Sequence, residues 1–481
     1  MPCPALKTPV TAALPLMGGL ILSAGTALAD LADGVTHFTL SNGLETVVIE
    51  DRRAPVVVQM VWYRIGAADE EPGKSGIAHY LEHLMFKGTD SLEPGEFSRI
   101  VTANGGSDNA FTSWDFTAYF QRIASDRLPM VMAMEADRMA NLNISDDDWL
   151  AERQVVLEER AQRIDSDPRA LFAEELNAVL YDNHPYGRPI IGWRHEIEAL
   201  TLDDAKAWYE AHYAPDAAIL IVAGDVSAEE VRALAEEHYG PIPARGDIAP
   251  RQRPQEPPKR ADRRLEMSDP RVPQPQMTRR ILAPAREPGD QRQAAALTVL
   301  AELLGGSSQT SVLGRELVLP GKALFASARY DGLSLDRTDF ALSLVPADGV
   351  SPAEAEAALD AALARFLEEG PDPADLERVR TRIRAAEIYG RDSAHARAYD
   401  FGQGLATGLS VEDVLDWPRI LSEVTDDQVM QAARMVLDNP GRVTGWLLPD
   451  AAPHPDSLAA EAPATTPAIE PPATAESEVQ G

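Results

Sequence analysis

The residues of this 481-residue chain that are best suited to chemistry are two histidines and a glutamate within one short segment. His79, Glu82 and His83 form an H-x-x-E-H string, which reverses the order of the H-E-x-x-H zinc motif. Histidines four residues apart lie one turn above each other on a helix, so both rings can bind one ion. Glu82 lies on the same side, too close to His83 for all three groups to bind comfortably. It is better suited as a general base that takes a proton from a zinc-bound water.

The segment around these residues has a helical pattern. Ser75 can cap its start, Gly88 can end it, and no proline lies between them. At 100° per residue the apolar and polar side chains separate onto two faces. The apolar face, which we expect in the core, comprises Ile77, Leu81, Leu84 and Met85; the face that we expect at a cavity comprises His79, Glu82, His83 and Phe86.

A third metal ligand must come from another part of the chain, because a catalytic zinc uses three protein ligands and one open position. The candidate segment is the helix-like stretch from Glu152 to Arg160. Glu152 and Glu159 lie two turns apart on one face of such a helix. By spacing alone, either could bind the metal while the other supports it from the second shell. The competing interpretation is a surface helix with solvated side chains, and the joint occurrence of both segments disfavours it.

These two segments resemble the pitrilysin/insulinase family of zinc peptidases, which includes the mitochondrial processing peptidase. The family follows its H-x-x-E-H string with a distal glutamate at the separation seen here between His83 and Glu159. The resemblance implies that His79, His83 and Glu159 bind one zinc per chain. It also implies that Glu82 is the catalytic base and that Glu152 matches a conserved second glutamate.

The stretch from Gly105 to Phe120 matches the family as well. Its threonines and aromatic residues alternate with period two after a glycine turn, which predicts a strand. In the family this strand is a sheet edge on which the substrate backbone pairs, which makes Asn109, Ala110 and Phe111 candidate substrate-binding residues. Edge pairing contacts mainly backbone and so tolerates many peptide sequences. The alternative is an ordinary core strand.

The chain also repeats itself. The segment after Leu202 parallels the segment after Thr425, at an offset of roughly 223–227 residues, which predicts two similar domains. We expect the domains to span 30–240 and 264–450, joined by a proline-rich, extended and exposed linker at 241–263. Strand-like runs alternating with long helices indicate α+β layers. The resemblance implies a mostly antiparallel sheet flanked by helices in each domain, with the two domains facing one another as a clamshell around a peptide chamber.

Both ends of the chain differ from the rest in composition. Residues 1–29 carry one lysine, an apolar run and a small-residue ending, which predicts a signal peptide and an exported, periplasmic protein. An uncleaved anchor is the alternative, but the run is short and is interrupted by Pro15, Gly18 and Gly19. Residues 451–481 are rich in Ala, Pro and Glu and lack Lys, Arg and aromatic residues, which predicts a disordered tail.

The charge balance limits the partners of the chain. It has 76 acidic and 44 basic residues, a formal charge of −32 that becomes −33 when the signal peptide is removed with Lys7. This excess argues against nucleic acid and anionic membranes as partners. No segment after residue 29 is long and apolar enough to predict a membrane span. The single cysteine, Cys3, lies in the predicted signal peptide, so stability should come from core packing.

One part of the family pattern is missing. Family members complete the site from their second half with an Arg and a Tyr, in a stretch of the form L-R-x-K-x-x-L-x-Y. The matching stretch here is 317–325, with Val318 at the Arg position and Phe325 at the Tyr position. These groups would stabilise the oxyanion, and losing one such donor costs about 2.7–4 kcal/mol.

We therefore expect the zinc-bearing subunit of a heterodimeric zinc endopeptidase whose sister chain supplies the Arg and Tyr. The alternatives are a monomer in which another residue takes over, a non-catalytic peptide-binding or assembly subunit of the same fold, and a metal carrier. The residues that could take over are Arg315, Arg329 and Tyr330. Whether Tyr186 lines the chamber or merely packs stays open at this point.

Overall fold

The computed structural model describes residues 29–31, 34–246, 251–390 and 392–449. The predicted tail and, apart from Ala29, the predicted signal peptide lie outside these residues. The first half contains a sheet with strand order β1-β2-β3-β7-β4-β6-β5, in which β3 and β7 are parallel and the other neighbours are antiparallel. The strands are β1 (Ala29–Leu31), β2 (Val35–Thr39), β3 (Glu45–Glu50), β4 (Val56–Tyr63), β5 (Ser107–Thr112), β6 (Thr117–Ala124) and β7 (Ala218–Gly224).

Most helices of the first half cover one face of this sheet or pack beside it. Several begin at the capping residues that the sequence supplies: Ser145 caps α4 and Thr201 caps α7, each in a capping box. The helices are α1 (Ile77–Leu84), α2 (Glu96–Ala103), α3 (Leu128–Asn141), α4 (Asp146–Arg160), α5 (Pro168–Leu180), α6 (Arg194–Ala199), α7 (Leu202–His212) and α8 (Ala228–His238).

The second half repeats this architecture. Its sheet has the order β10-β11-β9-β12-β8, with β12 parallel to β8, and this matches β5-β6-β4-β7-β3 of the first sheet in order and direction. Its elements are β8 (Arg263–Asp269), β9 (Gln276–Ala283), α9 (Arg292–Gly305), β10 (Ala323–Tyr330), β11 (Thr338–Pro346), α10 (Pro352–Glu369), α11 (Pro373–Gly390), α12 (Ala394–Ala406), α13 (Val411–Ser422), α14 (Asp426–Leu437) and β12 (Val443–Pro449). The predicted α+β fold with two similar, mostly antiparallel domains is confirmed.

The two halves exchange one helix each. Helix α12 of the second half packs on β4 and β7 of the first sheet, where Gly402 lies against the buried ring of Trp62. Helix α5 of the first half packs on β8, β9 and β12, with Phe172 and Leu176 against Gly445. Each sheet therefore buries one face under a helix from the other half.

The connection between the halves differs from the prediction in one respect. Residues 251–260 form neither helix nor strand, as expected for a linker, but the segment is not simply exposed. The side chains of Arg253 and Lys259 are only 4% and 6% exposed, because acidic residues of both halves and of the linker itself hold them. The prediction of an exposed linker was wrong at these positions, since composition does not reveal where their acidic partners lie.

None of the helices in the described part of the chain is both long and apolar enough to span a membrane.

Candidate metal centre

Helix α1 presents the two faces that its periodicity predicts. Ile77, Leu81 and Leu84 are buried in the core, while His79, Glu82 and His83 line a cavity. The start of the helix differs from the prediction. The backbone N–H groups of Gly76 and Ala78 donate to the buried carboxylate of Glu70, whereas the Ser75 hydroxyl accepts from the N–H of Trp193. The helix ends at Leu84, before Gly88.

Helix α4 docks on α1 through two aromatic residues. The ring of Trp149 stacks on Tyr80 with 4.1 Å between centroids, and the Tyr80 hydroxyl donates to the Trp149 carbonyl. Glu152 follows Trp149 by about one turn of α4, and Glu159 follows Glu152 by two more turns. This docking directs both carboxylates toward the histidines of α1.

Three side chains converge as a metal site would require. Glu159 Oε2 lies 3.1 Å from His83 Nε2 and 3.6 Å from His79 Nε2. Ligand atoms 2.0–2.2 Å from a tetrahedral zinc lie about 3.3–3.5 Å apart, and the two observed separations lie just on either side of this range. Within the described residues, buried His79 Nδ1 has no hydrogen-bond partner, and buried Glu159 Oε2, although 3.1 Å from His83 Nε2, makes no well-directed hydrogen bond. Unsatisfied buried polar atoms are costly, and a bound cation would satisfy the carboxylate. The donor set of two imidazoles and one carboxylate suits zinc.

A second set of side chains holds these ligands. Glu152 Oε1 lies 2.9 Å from His83 Nδ1, and its other oxygen pairs with the ammonium of Lys87. Arg163 pairs with Glu159 Oε1 at 2.6 Å, which leaves Oε2 directed at the histidines. Of the two glutamates that spacing left open, Glu159 therefore reaches both histidines and Glu152 contacts the outer nitrogen of one.

Burial and charge set the protonation of the two histidines differently. Burial lowers the pKa of His79 to about 4, so this ring is neutral at pH 7 and able to bind a metal. Burial also acts to lower the pKa of His83, but interactions with Glu152 and Glu159 outweigh it and raise the pKa to about 9. A metal must therefore displace a proton from His83.

Glu82 lies beside the ligands without belonging to their cluster. The Thr112 hydroxyl donates to Glu82 Oε2 at 2.5 Å, and burial raises the pKa of Glu82 to about 6 despite this bond. A carboxylate with a pKa near the working pH is suited to accept and return a proton. Thr112 is the last residue of β5, so this strand positions the carboxylate.

Residues 105–120 form two strands rather than the single strand predicted. A turn at 113–116 separates β5 from β6, and the two strands pair antiparallel from Ser107 to Thr112. Strand β5 lies at the edge of its sheet and pairs with β6 alone among the described strands. Its residues Asn109, Ala110 and Phe111 line the same cavity as the histidines.

That cavity has a volume of about 1110 Å³, and its lining residues within the described chain all lie between His79 and Ile191. The second half contributes none of them. Three residues considered as substitutes for the missing donors also lie outside it: Arg315 pairs with Asp375, Tyr330 donates to the Pro284 carbonyl, and Arg329 lies on β10. Among the described residues of the second half, no Arg or Tyr therefore reaches the site.

Tyr186 packs rather than lining the cavity. Its buried hydroxyl donates to the carboxylate of Asp115 at 2.7 Å.

Sequence reasoning missed four residues that support the site: Glu70, Lys87, Thr112 and Arg163. Two of them had a local signal, because Lys87 lies four residues after His83 and Arg163 four after Glu159, a spacing that brings side chains together on helical turns, although both lie just beyond the ends of α1 and α4. The contacts of Glu70 and Thr112 cross between elements and had no such signal.

Comparisons with known proteins identify relatives of this chain. A family model described as Insulinase (Peptidase family M16) matches residues 46–193, and one described as Peptidase M16 inactive domain matches residues 199–383. Zinc protease PqqE of Helicobacter pylori is 40% identical over 202 residues, which are 42% of this chain and 46% of that protein. The probable mitochondrial-processing peptidase subunit beta of Schizosaccharomyces pombe is 33% identical over 202 residues, 42% of this chain and 44% of that protein. These matches thus span about half the length of the curated relatives.

A solved structure extends the similarity across both halves. The crystal structure of a protease from Helicobacter pylori has a TM-score of 0.80 at 29% identity, covering 86% of this chain and 99% of that one. The two family models together also cover more than half of the chain. The resemblance is thereby confirmed, and the chain belongs to the pitrilysin/insulinase (M16) family of peptidases.

Proposed function

We propose that this chain is a zinc-dependent endopeptidase that hydrolyses peptides or unfolded polypeptide segments. The observation that carries the proposal is the convergence of His79, His83 and Glu159 beside the buried carboxylate of Glu82, inside a cavity that also contains a sheet edge. In this proposal the three converging residues hold one zinc ion, and Glu152 orients His83 from behind.

Each group then has a defined task in peptide hydrolysis. Zinc, when bound, supplies Lewis-acid polarisation of a carbonyl and acidifies water. Glu82 removes the proton from the attacking water and delivers it to the departing amide nitrogen. Thr112 holds one carboxylate oxygen of Glu82, which leaves the other to accept that proton. The substrate backbone pairs with the free edge of β5 at Asn109, Ala110 and Phe111.

We further propose that the active enzyme is a heterodimer. Val318 is partly buried against the hydrophobic core of the second half, and Phe325 is 50% exposed. Neither residue lines the cavity. The carbonyl and oxyanion donors that the family places opposite the zinc would then come from a sister chain carrying the Arg and Tyr. Two copies of this chain would share the same defect.

The alternatives receive less support from the site. A non-catalytic assembly subunit has no need for three converging ligands with a base beside them, and a metal carrier has no need for an edge strand in the same cavity. The composition of residues 1–29 supports export, and the predicted destination is the periplasm. N-terminal sequencing of protein recovered from the periplasmic fraction tests that part of the proposal.

The catalytic role of Glu82 is tested by Glu82→Gln, with Glu158→Gln as the matched control. Both substitutions remove one carboxylate from the cavity, but the side chain of Glu158 bonds only Gln154 within the described chain. Loss of the base should lower kcat about 10²–10⁴-fold, the range of general acid–base catalysis, with zinc still bound. Glu158→Gln should hydrolyse peptides like the wild type.

The assay is cleavage of an unstructured peptide followed by mass spectrometry, with the zinc content of each variant measured in parallel. It is run on the chain alone and with the chain that co-purifies from the native source. Unchanged hydrolysis by Glu82→Gln would remove this residue from the base role. Full activity of the isolated chain would instead refute the heterodimer and leave the peptidase proposal standing.

A further inference from the structure

We propose that Arg253 of the linker is a positioning residue that couples the orientation of the two halves to the geometry of Glu82 and of helix α1. The inference rests on the proposed peptidase function and assigns a role to a residue outside the cavity. Arg253 touches neither the ligands nor the space beside them.

The Arg253 guanidinium is buried among three carboxylates. Its Nε and Nη2 atoms each donate to Asp69 at 2.9 Å, and its Nη1 donates to Asp115 at 2.5 Å and to Asp336 at 3.0 Å. A planar guanidinium with donors in a rigid fork can hold several acceptors in one fixed arrangement, which a lysine ammonium cannot reproduce. The three carboxylates belong to different segments, so a single side chain ties these segments together.

The contact with Asp69 connects Arg253 to the start of the helix that carries the histidines. Asp69 closes the short turn 67–69, and its neighbour Glu70 accepts the N–H groups of Gly76 and Ala78 at the start of α1. Helix α1 begins at Ile77, and His79 directly follows Ala78. A shift of Asp69 therefore moves the carboxylate that caps this helix.

The second contact leads to the base. Asp115 lies in the turn between β5 and β6, and linker residue Arg251 donates to its carbonyl oxygen at 2.6 Å. Three residues before Asp115, Thr112 ends β5 and donates to Glu82. The turn that Arg253 holds is therefore continuous with the strand that orients the base.

The third contact leads to the second half. Asp336 lies in the loop between β10 and β11, where its N–H lies 3.1 Å from the Tyr186 hydroxyl and its carboxylate 3.1 Å from His184. The preceding residue, Leu335, donates its N–H to Asp115 at 3.0 Å. The second half thus reaches the cluster through a loop, and Arg253 pairs with carboxylates of both halves.

The energetics of such a cluster make it sensitive to movement. A buried charge that loses its partner is strongly destabilised, so a rotation of the second half that withdraws Asp336 leaves Arg253 less fully paired and shifts its remaining contacts. Displacing reacting groups by about 1 Å can cost about a hundredfold in rate. A small rearrangement at the cluster is therefore enough to alter turnover without changing any ligand.

The test compares Asp336→Asn with Asp360→Asn. Each substitution neutralises a partly exposed second-half carboxylate, 35% and 51% exposed, that pairs with a buried arginine: Asp336 with Arg253, and Asp360 with Arg279. Only the first arginine contacts the segments that carry the site. Peptide kinetics are measured on the form of the protein that hydrolyses peptides, alone or with its sister chain.

Asp336→Asn should lower kcat about threefold to tenfold, less than the loss for a full 1 Å displacement, with KM within twofold of the wild type. Asp360→Asn should lose as much thermal stability as Asp336→Asn but keep the wild-type kcat. Arg253→Met should lower kcat further, and Arg253→Lys should recover only part of that loss. Equal kcat values for Asp336→Asn and Asp360→Asn would overturn the proposal.

A second readout does not depend on hydrolysis. Amide hydrogen exchange should accelerate at residues 76–78 and 112–116 in Asp336→Asn but not in Asp360→Asn. Unchanged exchange at both segments would overturn the coupling even in an active enzyme. A wild-type protein that cleaves no peptide in any form would refute the proposed function instead, and the exchange data would still decide the coupling.

Discussion

Replacing Glu152 tests the metal centre through a residue that does not itself reach the metal. Its Oε1 lies 2.9 Å from His83 Nδ1, and its other oxygen pairs with Lys87. A hydrogen bond to Nδ1 fixes the tautomer and ring orientation that direct Nε2 toward Glu159. Without Glu152 the ring loses this restraint, and the Lys87 ammonium is left unpaired close to the site.

The expected loss of zinc affinity follows from these two contacts of Glu152. Outer hydrogen-bond partners of metal-binding histidines contribute about 10- to 100-fold in metal affinity, which corresponds to about 1.4–2.7 kcal/mol. Glu152→Gln keeps an oxygen that can accept from Nδ1, so we expect a zinc Kd raised about 10-fold, at the lower end of that range. Glu152→Ala removes both contacts and should raise Kd about 100-fold.

The assay is competition for zinc against a chromophoric chelator at constant pH and salt. Glu158→Gln is the matched control, since it removes the same charge from the same helix and cavity without touching a histidine. Glu152→Ala and Glu158→Gln with zinc affinities within twofold of each other would refute the role of Glu152. A shared loss in both variants would show that net charge, rather than the bond to His83, sets the affinity.

Two further predictions concern pH and packing. The pKa of His83 is raised to about 9, so its proton competes with zinc below that pH. Zinc affinity should therefore rise by up to about tenfold per pH unit from pH 6 toward 9. A zinc affinity that does not change with pH in buffered chelator competition would contradict this. Gly402→Ala should destabilise the fold by about 1–3 kcal/mol, because a Cβ there overlaps the ring of Trp62. Thermal unfolding measures the loss against Gly390→Ala, where a Cβ meets nothing, and equal melting temperatures would show that α12 does not press on the first sheet as described.

Local periodicity was sufficient to predict the part of the site that lies on one helix. His79, Glu82 and His83 share a face of α1 because successive turns of a helix place such residues together, and their cavity exposure follows from the apolar opposite face. The fold class was also predictable, since the repeated cap, helix and strand after Thr201 and Thr425 appear in both halves. The assignment of the catalytic base stays a prediction until Glu82→Gln is measured.

Contacts between segments distant in sequence were not predictable in this way. The spacing of Glu152 and Glu159 did not indicate which carboxylate approaches both histidines, and the docking of α4 on α1 through Trp149 and Tyr80 places Glu159 there. The single strand predicted across 105–120 became a hairpin, because alternation continues through the turn and does not mark it. The linker composition likewise did not indicate that the Arg253 side chain is buried, because its partners lie in three other segments.

The sequence by itself determined the chemistry available to this protein: the H-x-x-E-H face, the distal carboxylates, the absence of Arg and Tyr at 318 and 325, and the duplication of one α+β unit. These features depend on residue type and on spacing within one element, where backbone geometry is regular. Only the tertiary structure decided which carboxylate meets the histidines, which helix each half places on the other, and which carboxylates of the two halves Arg253 contacts. Those outcomes depend on the packing of whole elements against one another, and the sequence around a side chain does not indicate which distant residue it contacts.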